Sequence, residues 1–301
     1  MTLMLSQLFQ LFAFLLLGMF ARWKIIVDGS FPGGLSRVVV DFFLPCMLFL
    51  SVYDNLSLQT LQEERSAFLW GAASFLVTFP LYTFFARKLA KDPYEVGIFQ
   101  YTFLVPNYGF FGYVLIEAVY GSQMLFHMVI FTIPHMIYGY TDVYRRLCGM
   151  EKLSLRTLCN PSVFAMLLGA TCGMLQFRLP TAVISLLTAG KSCVGPLSMI
   201  LTGMVIAGFR PADILKDRRV YLASALRLLI LPAASLMMMK LLHAPRELLV
   251  VGAYFFAMPT GMNTILFPTM VNRDCRLGAG MALVSNISLI VTFPIILRLF
   301  L

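Results

Sequence analysis

Charge is what this sequence has least of: Asp, Glu, Lys and Arg make up 12% of its 301 residues, hydrophobic residues make up 59%, and the mean hydropathy is +0.84. A soluble domain devotes about 25% of its residues to charge, and a chain this apolar cannot keep its surface in water. A cytosolic enzyme, a nucleic-acid module and a disordered scaffold are therefore all excluded. Also missing are GxSxG, HExxH, a P-loop and any pair of carboxylates spaced for acid–base work, which argues against an intramembrane enzyme. No cofactor and no metal are expected. The cysteines Cys46, Cys148, Cys159, Cys172, Cys193 and Cys275 form no CxxC and no Cys/His cluster, so they are read as reduced and structural.

What is present is a series of long apolar runs. Eight windows of 18 or more residues contain no Asp, Glu, Lys or Arg: Met1–Ala21, Ser66–Ala86, Val96–Ile116, Ala118–Thr141, Thr157–Phe177, Ser192–Phe209, Leu248–Asn272 and Leu277–Leu297. Two more, at about 34–53 and 219–239, carry internal charge: Arg37 and Asp41 in the first, Arg227 in the second. A helix crosses the bilayer with about 20 residues, so the expectation is an all-α membrane protein with ten transmembrane helices and no sizeable soluble domain. The runs do not alternate, which excludes a β-barrel. The first window is followed rather than preceded by basic residues, the reverse of a signal peptide, and is expected to be retained. Alternate loops hold 15 Lys and Arg on one side and 5 on the other. By the positive-inside rule both termini are expected outside a cell (inner) membrane crossed many times.

Proline spacing suggests internal duplication. Pro45, Pro80 and Pro106 recur as Pro196, Pro232 and Pro259, at offsets of 151, 152 and 153. Two halves of five spans face opposite ways because five is odd, so the reading is two inverted five-helix repeats: 1–147, a cytoplasmic linker 148–159, and 160–301. Secondary transporters use this plan and bind substrate where matching helices are broken at mid-membrane. Span 4 reads FLVPNYGFFGYVL and span 9 reads FAMPTGMNTILFPTM. Proline removes a helix donor, glycine permits non-helical dihedrals, and Asn and Thr can bond the freed backbone. Spans 4 and 9 are therefore expected to be broken, crossing helices, with a substrate site at Pro106, Asn107, Tyr108, Gly109, Pro259, Thr260, Gly261, Met262 and Asn263. Half-helix N-termini aimed at the centre would suit an anion.

FFLPCMLFLSV in span 2, LPTAVISLLTAGKSCVGPLSMILTGMVIAGF through span 7, LRLLILP in span 8, MPTGMNTILF in span 9 and LVSNISLIVTFPIIL in span 10 resemble the auxin efflux carrier family of membrane transporters in its short bacterial form. The resemblance covers nearly the whole chain. It implies a scaffold of helices 1, 2, 6 and 7, often the homodimer contact, and a transport domain of helices 3–5 and 8–10. It also implies a small carboxylate or dicarboxylate substrate, such as malate, malonate or an auxin-like acid. The alternatives are a sodium- or proton-coupled carrier of a neutral or amphipathic substrate, and a transport-inactive sensor on the same fold. A nucleic-acid partner is not expected; the lipid bilayer is. The broken-helix stretches contain no carboxylate, so the sodium or proton sites of relatives with the same crossover plan cannot be carried over.

An intramembrane charge needs a reason. Arg37 is one turn inside span 2 and can snorkel. Asp41, four residues on, either pairs with Arg37 or titrates as a coupling group. Lys191, in AGKSCVGP, lies near mid-depth; it is read as a carboxylate counter-ion facing the site, a fixed cation in place of a coupling ion, or a lysine that snorkels or is paired structurally. Arg227 matches a basic position that recurs in the resembled family and, with Arg37 and Asp41, is a candidate for coupling or an ion pair; its alternative is snorkelling. Glu117 and Asp142 fall at span ends, where interfacial water suffices. His127 and His135 share a face of span 5, as a proton relay or as packing.

Overall fold

The computed structural model describes residues 2–24, 26–57, 60–152 and 159–301, with side chains except at 2–5 and 61–63. Residues 153–158 of the expected linker lie outside the described residues. All regular structure among the described residues is helical. The helices are α1 (Thr2–Trp23), α2 (Phe31–Asn55), α3 (Leu61–Leu89), α4 (Pro93–Leu104), α5 (Tyr108–Tyr120), α6 (122–148), α7 (Pro161–Met174), α8 (Thr181–Ala207), α9 (Pro211–Ile214), α10 (Arg218–Leu241), α11 (Arg246–Phe256), α12 (Asn263–Met270) and α13 (Arg276–Phe300).

Among the described residues, six helical stretches are long and apolar enough to cross a bilayer: Ser6–Trp23, Phe31–Asn55, Glu64–Leu89, Thr181–Ala207, Arg218–Leu241 and Arg276–Phe300. Tyr108–Tyr120 and Pro161–Met174 are shorter apolar helices. At about 1.5 Å per residue, none of α4, α5, α11 and α12 spans about 30 Å of hydrocarbon alone. Many large side chains are exposed, among them Phe9 and Trp23, each at 76%, which fits a surface turned to lipid rather than water.

Helix ends follow local chemistry. Asp92 caps α4 by accepting from the Glu95 amide at 2.8 Å, and Pro93 occupies the first turn, where its missing N–H costs nothing. Asn160 caps α7 in the same way, through the Val163 amide. Gly149, at φ 70°, ends α6 in the left-handed conformation and returns its N–H to the last turn. Wide π-turns at Val39–Phe43 and Leu226–Ile230 immediately precede Leu44–Pro45 and Leu231–Pro232. A proline ring clashes with the carbonyl four residues back, and each π-turn contains that carbonyl, so the wide turn absorbs the clash. Pro80 and Pro196 instead sit inside ordinary α-helix. Of the three proline pairs that suggested duplication, only Pro106 and Pro259 share a local structure.

The chain divides into two compact units. Unit 1 comprises 1–67, 109–130 and 156–208. Its helices approach closely through glycine: a Cβ on Gly203 of α8 would overlap the Leu15 carbonyl of α1, and one on Gly169 of α7 would lie 2.7 Å from the Phe49 carbonyl of α2. Small residues let backbones pack directly, the device that replaces the hydrophobic effect between helices in lipid. Phe49, Leu50 and Ala165 form the heart of the α2–α7 contact, with Tyr53, Cys172, Leu179, Ile184 and Leu187 against it. Unit 2 comprises 68–108, 131–155 and 209–301. It contains both helix interruptions at Pro106 and Pro259 and a core of Phe99, Phe103, Phe131, Phe255, Phe256 and Phe293.

Candidate functional site: the paired helix breaks

Helix α4 stops at Leu104 because Val105 precedes a proline. The ring of Pro106 disfavours the α conformation at Val105, which takes φ −127°, ψ 76°. The helix does not resume until Tyr108, through a π-turn at Tyr108–Gly112. The second break has the same cause: α11 ends at Phe256, Ala257 and Met258 lead into Pro259, and α12 begins at Asn263.

The two breaks meet inside unit 2. Pro106 and Thr260 form an isolated antiparallel bridge, in which the Asn107 amide donates to the Pro259 carbonyl at 2.9 Å. The Thr260 amide donates to Ser285 Oγ of α13 at 3.0 Å. Thr264 Oγ1 donates to the Gly261 carbonyl at 2.8 Å, closing the first turn of α12. Asn263 Nδ2 donates to the Tyr101 hydroxyl at 2.7 Å, tying α12 back to α4. Gly261 permits the close approach, since a Cβ there would lie 2.8 Å from both the Val105 carbonyl and the Tyr101 ring. Tyr108 packs its ring on Phe255 at 5.6 Å, and Met262 is buried.

Backbone groups freed by the prolines are thus partly re-paired within unit 2, but not all side chains are. Asn107 is 3% exposed and its Nδ2 has no partner; Thr260 is 0% exposed and its Oγ1 has none. On α13 the Asn286 amide donates to the Ala282 carbonyl at 2.7 Å, while its Oδ1 is unpartnered. Buried polar groups are normally satisfied, so unpaired ones at a helix break mark a place prepared for a polar ligand or water. Tyr101, Ser285 and Asn286 were not among the residues expected here. The adjacent polar pair in LVSNISL was the available signal, because two polar residues side by side in an apolar span need partners.

The expected charges resolve differently. Lys191 does have a protein counter-charge: its Nζ is ion-paired with Glu117 Oε1, within unit 1, and Asp54 also acts on both electrostatically. Glu117 is therefore not simply an interfacial acid, and Lys191 does not depend on a substrate for its charge balance. Structural pairing was one of the readings of Lys191, but its partner could not be named because α5 and α8 are distant in sequence and only the fold brings them together. Lys191 belongs to unit 1, whereas Asn107, Thr260 and Asn263 belong to unit 2. Asp142 likewise has partners, pairing with Arg145 Nη2 at 2.9 Å and Arg146 Nη2 at 2.6 Å. Arg37 and Asp41 are exposed, with a π-turn starting between them. Arg227 is 0% exposed and so does not snorkel; its Nη2 lies 3.4 Å from the Phe255 carbonyl. His127 and His135 have unrelated settings: His127 Nδ1 is 2.8 Å from Glu64 Oε1 in unit 1, and His135 is enclosed by Phe75, Phe131 and Phe255 in unit 2.

At one end of unit 2, Arg219 joins three elements. It donates to both oxygens of Glu95, at 2.5 and 2.9 Å, to the carboxylate of Asp217, and to the Leu89 carbonyl at 2.9 Å. The guanidinium holds the Asp217 carboxyl below the usual carboxylate range. That contribution to stability is fully present above the ordinary carboxylate range and is lost as pH falls below it, through the lowered folded value.

A helical chain with apolar spans and a pair of meeting, proline-broken helices belongs to the class of membrane transporters. The comparisons agree. The family model for membrane transport proteins matches residues 3–297, and the chain belongs to this, the auxin efflux carrier family. It is 21% identical over 317 residues to the uncharacterized transporter YfdV of Escherichia coli strain K12, across 98% of this chain and 97% of that protein. The same figures hold for YfdV of Escherichia coli O157:H7 and of Shigella flexneri. The family is one of transporters rather than enzymes.

Proposed function

We propose that this membrane transporter carries a small organic anion, a carboxylate or dicarboxylate, by alternating access. In this reading ten spans form two inverted five-helix repeats in the cell membrane, both termini outside, and the helix 3–5 and 8–10 domain moves against a dimer-forming scaffold. The observation that carries the proposal is the meeting of the two breaks at Pro106 and Thr260 with Asn107 Nδ2 and Thr260 Oγ1 buried and unpartnered. Substrate carboxylate oxygens accept only, and Asn107 Nδ2 and the Thr260 hydroxyl can each donate. The N-terminal turn of α12, beginning at Asn263, adds favourable potential for negative charge. No carboxylate lies in 105–109 or 258–263 to repel an anion or to hold a cation.

The test is uptake of radiolabelled malate, malonate and monocarboxylates into liposomes containing the purified protein. Expected is saturable uptake of at least one carboxylate, reduced about tenfold or more by Asn107→Ala and by Thr260→Val, the loss of one charge-assisted hydrogen bond each. Robust uptake that both variants leave unchanged, or a well-folded protein that moves none of these anions, overturns the reading.

A further inference from the structure

Unit 2 also encloses a charge that no ion pair among the described residues balances. Arg227 is among the largest fully buried side chains, at 0% exposure, in the π-turn of α10. Its one hydrogen bond goes to a neutral acceptor, the Phe255 carbonyl, at 3.4 Å. Nε and Nη1 have no partner. No ion pair among the described residues includes Arg227, and the acids of unit 2 lie elsewhere: Glu95 and Asp217 pair with Arg219, Asp142 with Arg145 and Arg146, and Asp274 with Arg276, Asp92 caps α4, and Glu151, Asp213 and Glu247 are exposed. Tyr82, the other polar neighbour whose charge state bears on Arg227, already uses its hydroxyl on the Leu231 carbonyl and Ser235.

A second set of unmet groups shares this surrounding. His135 is 0% exposed, and neither ring nitrogen has a partner. It is close enough for the Arg227 charge to act on it, and its ring stands 4.4 Å from that of Phe255, the residue whose carbonyl Arg227 reaches. Ser224, one turn before Arg227 on α10, is 2% exposed and its Oγ is also unpartnered. Water can satisfy N–H groups, but it cannot cancel a net charge in an apolar interior. Buried charges are normally paired, and among the described residues no acid pairs with Arg227.

We propose that Arg227 holds a small inorganic anion of halide size inside unit 2, bound through Nε and Nη1, with the N–H of His135 and the Ser224 hydroxyl as further donors. All these groups can donate, and among them they offer a negative ion several hydrogen bonds. The anion is a resident counter-ion, distinct from the cargo at the helix breaks, and the inference does not depend on which substrate is carried. It makes chloride a structural component of unit 2.

The test uses bromide as the probe, with the full-length purified protein. Crystals grown in bromide in place of chloride should give an anomalous peak in contact with Arg227 Nε or Nη1. In solution, replacing chloride with gluconate should lower the thermal midpoint of the wild type by several degrees, and Arg227→Gln and Arg227→Met should abolish that dependence. His135→Phe, which keeps the aromatic packing, should weaken the chloride response several-fold without removing it. Crystals with bromide at other sites and none at Arg227 overturn the proposal. So does a folded Arg227→Gln protein with an undiminished chloride response. Carboxylate uptake measured alongside separates the two readings, because a chloride site can fail while uptake stands, and the reverse.

Discussion

Unit 1 and unit 2 solve the same problem, burying helices in an apolar solvent, by opposite means. In unit 1 the helices run unbroken past one another, backbone against backbone at Gly203 and Leu15 and at Gly169 and Phe49, and its intramembrane lysine is neutralised by Glu117. In unit 2 two helices are broken, the breaks are stitched by a single antiparallel bridge, and Asn107, Thr260, Asn286 and Arg227 keep unpaired atoms in the interior. Unit 1 keeps unmet atoms too, at Ser51, Glu64 and Ser198, but its intramembrane lysine is paired, so it has less left to offer a charged ligand. A region that leaves donors buried and unmet carries a cost that only a ligand or water relieves. On the proposed function, unit 2 does the binding and unit 1 acts as its support.

The largest effect is expected where the support is tightest. Gly203→Leu places a branched side chain against the Leu15 carbonyl and the Met19 amide, backbone that cannot rotate away. Overpacking of this kind costs more than about 3 kcal/mol. A sharp loss of folded protein by size-exclusion chromatography, or a large fall in thermal midpoint, is the expected outcome. A stable Gly203→Leu protein would break the contrast at its base.

Next comes the charge pair. Lys191→Gln leaves Glu117 half-enclosed without its cation, at a cost of about 2–3 kcal/mol, less than a fully buried pair because both side chains keep some exposure. Adding Glu117→Gln should recover most of that loss, which thermal midpoints of the two single variants and the double variant would measure. Carboxylate uptake by the double variant should remain near wild type if unit 1 is a support. Loss of uptake in a stable double variant would instead move Lys191 into the transport chemistry.

These expectations also mark what was legible before the fold was known. The breaks at Pro106 and Pro259 were readable because a proline acts on its own backbone and on the residue just before it, a local effect that needs no tertiary knowledge. The helical, membrane-spanning character followed from run length alone. The Lys191–Glu117 pair was not readable, since partners on α5 and α8 are joined only by packing. Nor was the complete burial of Arg227: one arginine in an apolar span is compatible with snorkelling or with enclosure, and only the neighbours decide. The π-turns before Pro45 and Pro232, absent at Pro80 and Pro196, show the same limit, for identical local chemistry was accommodated in two ways.

The smallest change tests unit 2 by adding one methyl group. A Cβ at Gly261 would lie 2.8 Å from the Val105 carbonyl oxygen and 2.8 Å from Tyr101 Cε1. The tyrosine ring can yield, but its hydroxyl is the acceptor for Asn263 Nδ2, so yielding would strain the link between α4 and α12. The carbonyl belongs to the break itself and has less freedom. Gly261→Ala should therefore push the two breaks apart by a few tenths of an ångström, at about 1–2 kcal/mol, within the range for overpacking a tight site. That loss should leave the protein folded, because it is a small part of the total and falls outside the glycine contacts of unit 1. Function should suffer more than stability. If the Asn107–Pro259 hydrogen bond positions Asn107 Nδ2 and Thr260 Oγ1 for an anion, a displacement of this size lowers affinity for carboxylate, read as a raised half-saturation concentration in liposome uptake with the thermal midpoint only slightly reduced. Equal uptake kinetics in Gly261→Ala and wild type would mean that the meeting of the breaks serves to hold unit 2 together and does not shape the site.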